Sequence, residues 1–124
     1  GYETDELPAF YASKSGYGVD YRVDTVQELA EALKAKGDLG LKGGVVIANP
    51  IPEQYEMEPA VINKAIDSAV KEAEAKGIKG KESTPFLLAK VKELTEGASL
   101  DSNIQLVYNN AKLGAQIAVA LSQF

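Results

Sequence analysis

The feature that most restricts the fold is a run of four apolar residues, Val45–Ala48, which follows two glycines and ends at Asn49 and Pro50. The run has the length of a strand, is rich in β-branched residues and shows no alternation of apolar and polar positions. This pattern is typical of a strand covered on both faces, as in the middle of a parallel sheet. A second, short strand is predicted at Val19–Val23, where apolar and polar residues alternate.

Two amphipathic helices are predicted on either side of the apolar run. The first begins at Thr25, which has the spacing of a capping box with Glu28, and it is expected to end at Gly37 in a left-handed conformation. The second extends from about Glu58 to Lys76 and ends at Gly77, with a proline in its first turn. Both helices carry one apolar face, which predicts that each packs against a core.

Two further helices are predicted in the last third of the chain. One begins with Thr84 as its cap and Pro85 in the first helical position, and ends near Gly97. The other begins at Ser99 and reaches about Leu121. Because this last helix carries two apolar stripes, we expect most of its circumference to be buried.

The fold class follows from this inventory of elements. A strand that is covered on both faces needs hydrogen-bonded neighbours and a helical layer on each side, and four helices with one or two strands cannot supply them. The sequence also begins without an initiator methionine. We therefore predict an α/β protein in which residues 1–124 form the C-terminal segment of one larger α/β/α domain.

Composition excludes several kinds of chemistry within the segment. The absence of cysteine excludes disulfides and thiolate chemistry, and the absence of histidine excludes an imidazole base or a Ser-His-Asp triad. The net charge of -5 argues against nucleic acid as a partner. No apolar run approaches the roughly 20 residues that a membrane span needs. The composition is that of a cytoplasmic protein.

Two asparagines on the last helix, Asn103 and Asn110, are the clearest candidates for a functional site. They lie seven positions apart, next to one of the apolar stripes. An asparagine side chain offers a donor and an acceptor, which match the imide edge of uracil and a backbone amide equally well. The residues alone leave both possibilities open, a structural hydrogen bond from helix to loop or a contact with a ligand.

Other polar groups are weaker candidates. Glu3, Asp5 and Glu6 could form an acidic site, but an acidic loop is more often only solvated. The loop that contains Glu82 and Thr84 could bind an anion through its amides or be a plain helix cap. The Asn49-Pro50 turn is either a turn alone or a ligand loop at the end of a strand. No group of residues has the spacing of a metal site or of a phosphate-binding glycine loop.

Four blocks of sequence resemble the pseudouridine-5'-phosphate glycosidase family, which is related to the indigoidine synthase A proteins. In chain order the blocks are GYETDELPAFY at 1–11, GGVVIANPIPEQY at 43–55, GKESTPFLLAKVKELT at 80–95 and SLDSNIQLVYNNAKLGAQIA at 99–118. Together with the segments between them they cover nearly the whole chain. The sequence is therefore identified as the C-terminal part of a member of this family.

The resemblance implies an enzyme that reversibly splits the C–C glycosidic bond of pseudouridine 5'-phosphate to uracil and ribose 5-phosphate. It also implies an α/β/α fold, a homotrimer, a divalent metal, typically Mn²⁺, and a lysine that forms a Schiff base with ring-opened ribose. That lysine and the metal ligands are expected upstream of this segment. Asn103 matches the family's active-site asparagine and is expected to bind the base; Asn49, Pro50 and Thr84 fall in motif loops without an assigned role.

Two rival interpretations remain at this point. The segment could be a structural or nucleotide-binding fragment without chemistry of its own. It could also belong to a related enzyme that acts on another C- or N-glycoside.

Overall fold

A computed structural model describes all 124 residues, and its first helix, α1 (Val26–Asp38), begins as the sequence predicts. The Thr25 hydroxyl accepts a hydrogen bond from the amide of Glu28, whose carboxylate in turn accepts one from the amide of Thr25. The predicted end is wrong. Gly37 remains inside the helix, and Gly40, with φ of +66°, is the residue in the left-handed conformation that follows it.

Helix α2 (Pro59–Ala75) and the left-handed Gly77 after it confirm the prediction for this segment. The buried alanines of α2 let helix α3 (Ser83–Leu94) approach closely. The two helices share one apolar core with the N-terminal loop, formed by Tyr11, Ile62, Ala65, Ala69 and Val91. This core is one of two in the chain.

The prediction for the caps of the last two helices is wrong at both sites. Helix α3 begins one residue before Thr84 and has no side-chain cap, and helix α4 (Ala98–Ser122) begins one residue before Ser99. Thr95 performs the capping between them. Its hydroxyl donates a hydrogen bond to the carbonyl of Val91 and accepts one from the amide of Ser99, which itself lies buried inside α4.

Neither predicted strand forms. Val45–Ala48 has a single backbone hydrogen bond, from the amide of Tyr2 to the carbonyl of Ala48, and the side chain of Val46 is 88% exposed. Val19–Val23 makes only one isolated bridge to the N-terminal loop, between Val23 and Tyr2. A strand needs a ladder of hydrogen bonds to a neighbour, and no other segment of these 124 residues supplies one to the apolar run. The structure is therefore four α-helices joined by irregular segments that contain two short 3-10 helices, Glu53–Tyr55 and Gly80–Glu82, without the sheet of an α/β/α sandwich.

Helix α4 holds the second core and is buried on one face only. Leu113 and Ile117 pack with Leu29 of α1. The expectation that most of its circumference is buried is wrong, because no element of these residues covers its other apolar side. The exposed side is called the α4 apolar stripe and consists of Leu100, Ile104, Val107, Ala111, Gly114 and Ala118. None of the four helices is both long and apolar enough to cross a membrane.

Candidate functional site

Three side chains of α4 hold the loop that follows the apolar run. Asn110 accepts a hydrogen bond of 3.0 Å at Oδ1 from Nδ2 of Asn49. Asn109 donates from Nδ2 to the carbonyl of Pro50 at 3.0 Å. At the other end of the loop, Ser102 donates from Oγ to the carbonyl of Tyr55 at 2.8 Å. Residues 49–55, called the NPIPEQY loop, therefore lie along one side of α4, and their chain direction is antiparallel to that of the helix.

Asn103 lies between these anchors and makes no hydrogen bond of its own. It is half-buried on α4, next to Ser102 and at the border between the NPIPEQY loop and the α4 apolar stripe. Leu100 and Val107, one helical turn away on either side, are 39% and 55% exposed. An amide with free donors and a free acceptor, beside exposed apolar surface, is suited to the edge and face of a planar heterocycle.

The two asparagines predicted from the sequence therefore differ in what they do. Asn110 makes the helix-to-loop hydrogen bond that was one of the two alternatives, and its partner is Asn49. Asn103 retains the capacity for a ligand contact. Sequence reasoning missed Ser102 and Asn109, although the two share the spacing of seven residues that singled out Asn103 and Asn110. The sequence signal that could have identified Ser102 and Asn109 was this second pair of polar residues at the same spacing.

Two grooves flank this region. A polar one of about 380 Å³ runs between the NPIPEQY loop and the first turns of α4, and is lined by Gln54, Glu56, Asp101 and Gln105 among others. A larger groove of about 600 Å³ lies between α1 and the apolar run and is mainly hydrophobic. Asn103 lines neither groove, so neither defines its ligand.

The acidic loop near the start of the chain is occupied by structural contacts. Asp5 forms an ion pair of 2.7 Å with Arg22. The carboxylate of Glu6 accepts hydrogen bonds from the amides of Ser15 and Gly16, at 3.1 and 2.9 Å. Glu3 joins neither arrangement. Asp5 and Glu6 are therefore held by structural contacts and are not merely solvated, and the three carboxylates form no group that could hold a metal ion.

A carboxylate also fixes the NPIPEQY loop to the N-terminal part of the chain. Glu56, at the end of the NPIPEQY loop, accepts hydrogen bonds at Oε1 from the amide and the hydroxyl of Ser13, at 2.6 and 2.8 Å. Tyr11, two residues before Ser13 in the chain, is buried, and this burial raises the pKa of its hydroxyl. The Ser99 hydroxyl is also buried and has no hydrogen-bond partner.

The remaining predicted positions show no assembled site. Thr84 is exposed in the first turn of α3, away from the contacts of α4, and Pro50 contributes only its carbonyl to Asn109. The segment contains no group of three acidic side chains close enough to hold a metal ion. These residues therefore do not fit the metal site that the family resemblance implies.

Comparison with known proteins agrees with the sequence blocks. The profile of the family described as indigoidine synthase A-like protein matches residues 1–120. The pseudouridine-5'-phosphate glycosidase of Alkaliphilus metalliredigens (strain QYMF) is 70% identical over 121 residues, which cover 98% of this chain and 39% of that protein. The enzyme of the same name from Clostridium botulinum (strain Langeland / NCTC 10281 / Type F) is 68% identical over 123 residues, covering 99% of this chain and 40% of that protein.

Two solved structures superpose on nearly all of the segment. An indigoidine synthase A-like protein from Thermotoga maritima superposes with a TM-score of 0.80 and 35% identity. The match covers 97% of this chain and 39% of the chain of that protein. The prealnumycin C-glycosynthase AlnA, solved in complex with ribulose 5-phosphate, has a TM-score of 0.82 and 27% identity, with coverages of 98% and 40%. The chain thus spans about 40% of the length of the relatives it matches.

Proposed function

Because the chain belongs to the indigoidine synthase A-like protein family, we propose that it is a segment of a pseudouridine-5'-phosphate glycosidase. The observation that carries the proposal is the 70% identity to a glycosidase of that name over 121 residues. The match leaves out only three of the 124 residues, so it includes the NPIPEQY loop and most of α4, the two elements that form the candidate site. The full-length enzyme would reversibly cleave pseudouridine 5'-phosphate to uracil and ribose 5-phosphate.

Cleavage of a C–C bond needs an electron sink, because carbon is a poor leaving atom. A lysine that forms a Schiff base with the ring-opened sugar would supply that sink. Such a lysine needs a lowered pKa. The pKa of Lys90 is instead raised by its hydrogen bonds to Glu72 and Glu93. In line with the family resemblance, we place the Schiff-base lysine in the part of the protein that these 124 residues do not include.

The role proposed for this segment is recognition of the base. Asn103 would donate one hydrogen bond to a carbonyl oxygen of uracil and accept one from an adjacent ring N–H. The free amide and the exposed apolar surface beside it support this role. Asn103 would then hold uracil in position both as it leaves the sugar and, in the reverse direction, as it attacks. In this sense it is the one catalytic residue that we assign within the segment.

Further properties of the whole protein belong to the same proposal. We expect the complete α/β/α sandwich, a homotrimer, a cytoplasmic location and a requirement for Mn²⁺. The metal ligands are to be sought outside this segment, since no three carboxylates meet within it. The AlnA structure with its bound sugar phosphate supports a sugar phosphate as the other half of the substrate.

The decisive experiment uses the full-length protein. Incubation with pseudouridine 5'-phosphate should release uracil and ribose 5-phosphate in equal amounts, and incubation of the two products should regenerate the substrate. Uridine 5'-phosphate should not be cleaved. No turnover of pseudouridine 5'-phosphate, with turnover of a different glycoside, would favour the related-enzyme interpretation, which the likeness to a C-glycosynthase motivates.

The non-catalytic alternative makes a different prediction. A structural or nucleotide-binding fragment would be monomeric and well folded as residues 1–124 alone, and would bind uracil or a nucleotide in isothermal titration calorimetry. The exposed α4 apolar stripe, with Val107 55% exposed, favours the enzyme-segment proposal, because a self-sufficient domain rarely leaves such a stripe on a helix uncovered.

A further inference from the structure

We propose that Asn110 is a positioning residue, which fixes the NPIPEQY loop through Asn49 so that Asn103 meets the base in one orientation. The inference rests on the proposed function and adds a division of labour within α4. Asn103 and Asn110 are separated by two turns, about 10 Å along the helix axis. Only Asn110 is engaged by the loop, through the bond of 3.0 Å between Asn49 Nδ2 and Asn110 Oδ1.

The geometry of the anchors shows why the loop matters to Asn103. Asn110 holds the first residue of the loop, and Ser102, the immediate neighbour of Asn103, holds its last residue, Tyr55. Asn103 therefore lies within the span that the loop covers. Between the anchors the loop has little freedom, because Ile51 is buried and two prolines fix their own φ angles. A shift at Asn49 is thus transmitted along the loop instead of being absorbed.

The contact between Asn49 and Asn110 has the character of a positioning contact. Ser102 and Asn109 bind backbone carbonyls in partly buried surroundings, as groups that maintain a fold do. The bond between Asn49 and Asn110 joins two side chains and is exposed to solvent. An exposed bond of this kind contributes little to stability, but it still fixes which way each amide faces.

An exchange of amides for acids separates positioning from direct contact. Asn110→Asp keeps the acceptor that receives the bond from Asn49, and Asn49→Asp lets Asn110 turn over and donate. Each single acid variant therefore retains the bond. The double variant Asn49→Asp with Asn110→Asp places two acceptors opposite each other and loses it. Alanine at either position also removes the bond.

The measurement is the synthetic reaction of the full-length enzyme, with KM determined separately for uracil and for ribose 5-phosphate. We expect Asn110→Ala, Asn49→Ala and the double acid variant to raise KM for uracil about three- to tenfold, the value of one hydrogen bond. KM for ribose 5-phosphate and the thermal midpoint should stay close to wild type. Each single acid variant should behave as wild type, and the double alanine variant should be no worse than either single one.

The possible failures are distinct. If Asn110→Asp raises KM for uracil as much as Asn110→Ala does, Asn110 contacts the base directly and the inference is overturned. If both KM values stay constant in the alanine variants, the bond does not position Asn103 and the inference is again overturned. This holds whether the thermal midpoint falls, as for a purely structural bond, or stays the same. A wild-type enzyme that is inactive on pseudouridine 5'-phosphate would contradict the proposed function itself. An active wild type whose variants are unaffected would leave the proposed function intact and contradict only the role of Asn110.

Discussion

Ser102 on α4 donates a hydrogen bond of 2.8 Å from Oγ to the carbonyl oxygen of Tyr55, which lies 47 residues earlier in the chain. Ser102 is buried and the bond is partly buried, so this carbonyl has its partner where access of water is reduced. The contact joins the end of the NPIPEQY loop to the turn of α4 that carries Asn103. The Ser102 hydroxyl is therefore one of the anchors on which the stability of the loop and the geometry of the candidate site depend.

Replacement of this hydroxyl should destabilise the full-length protein. Ser102→Ala leaves the carbonyl of Tyr55 unpaired, which costs about 1–3 kcal/mol of unfolding free energy. Urea-induced unfolding followed by circular dichroism measures the change. Ser122→Ala is the matched control, because the Ser122 hydroxyl makes only exposed hydrogen bonds, one donated to the carbonyl of Val119 and one accepted from the side chain of Gln123 at the end of the same helix. Equal unfolding midpoints for the two variants would contradict the assigned role.

Removal of the free amide on α4 should affect activity without affecting assembly. In the full-length protein we expect Asn103→Ala to lower kcat/KM for pseudouridine 5'-phosphate about 10- to 100-fold, because one or two hydrogen bonds to the base are lost. Size-exclusion chromatography should show the proposed trimer unchanged. Gln105→Ala is the control, since Gln105 lies on the same helix and lines the polar groove that Asn103 does not share. Normal turnover by Asn103→Ala would rule out its role at the base.

Local signals in the sequence were sufficient for the beginnings and faces of the first two helices. Thr25 and Glu28 form the predicted capping box because both partners lie within one turn. The end of α1 was misplaced because Gly37 and Gly40 are equally plausible stops in the sequence, and only the backbone shows which one has positive φ. Similarly, Thr95 caps α4 from outside the helix, while Ser99, which has the better cap chemistry, is buried in it.

Long-range partners were beyond the reach of the sequence. Val45–Ala48 has the composition of a buried strand, but a strand exists only where another backbone pairs with it, and none does within these residues. At the candidate site, the spacing of Asn103 and Asn110 drew attention to α4. It could not show that Asn110 is bound to Asn49, 61 positions away, while Asn103 is free.

The pH dependence of stability should include a contribution from Glu72. Hydrogen bonds from Lys76, and then from Lys90, lower the pKa of this carboxyl below its ordinary value of 4.5. A lowered pKa in the folded state stabilises the protein above the unfolded pKa, and this stabilisation disappears as the pH falls through the folded value. Glu72→Gln should therefore lower the thermal midpoint at pH 7 and make little difference at pH 3.

Salt provides the control for this prediction. Glu72 and its partners are exposed enough for screening, so the difference between wild type and Glu72→Gln at pH 7 should shrink from 0.01 M to about 1 M NaCl, as the Debye length falls from about 30 Å to 3 Å. Differential scanning calorimetry at both salt concentrations measures it. A difference that is the same at pH 3 and pH 7 would show that packing, not the charge, is responsible.

The two glycines at the end of α1 should respond to alanine in opposite directions. Gly37 lies inside the helix, and a Cβ built on it meets no atom within 4 Å. Gly37→Ala should therefore stabilise the full-length protein by about 0.5–1 kcal/mol, since alanine has the higher helix propensity. Gly40 has equally open surroundings but a φ of +66°, so Gly40→Ala should destabilise by about 1 kcal/mol through backbone strain. Because neither Cβ is crowded, backbone conformation alone distinguishes the two variants, and thermal midpoints that move in the same direction would contradict the placement of the helix end.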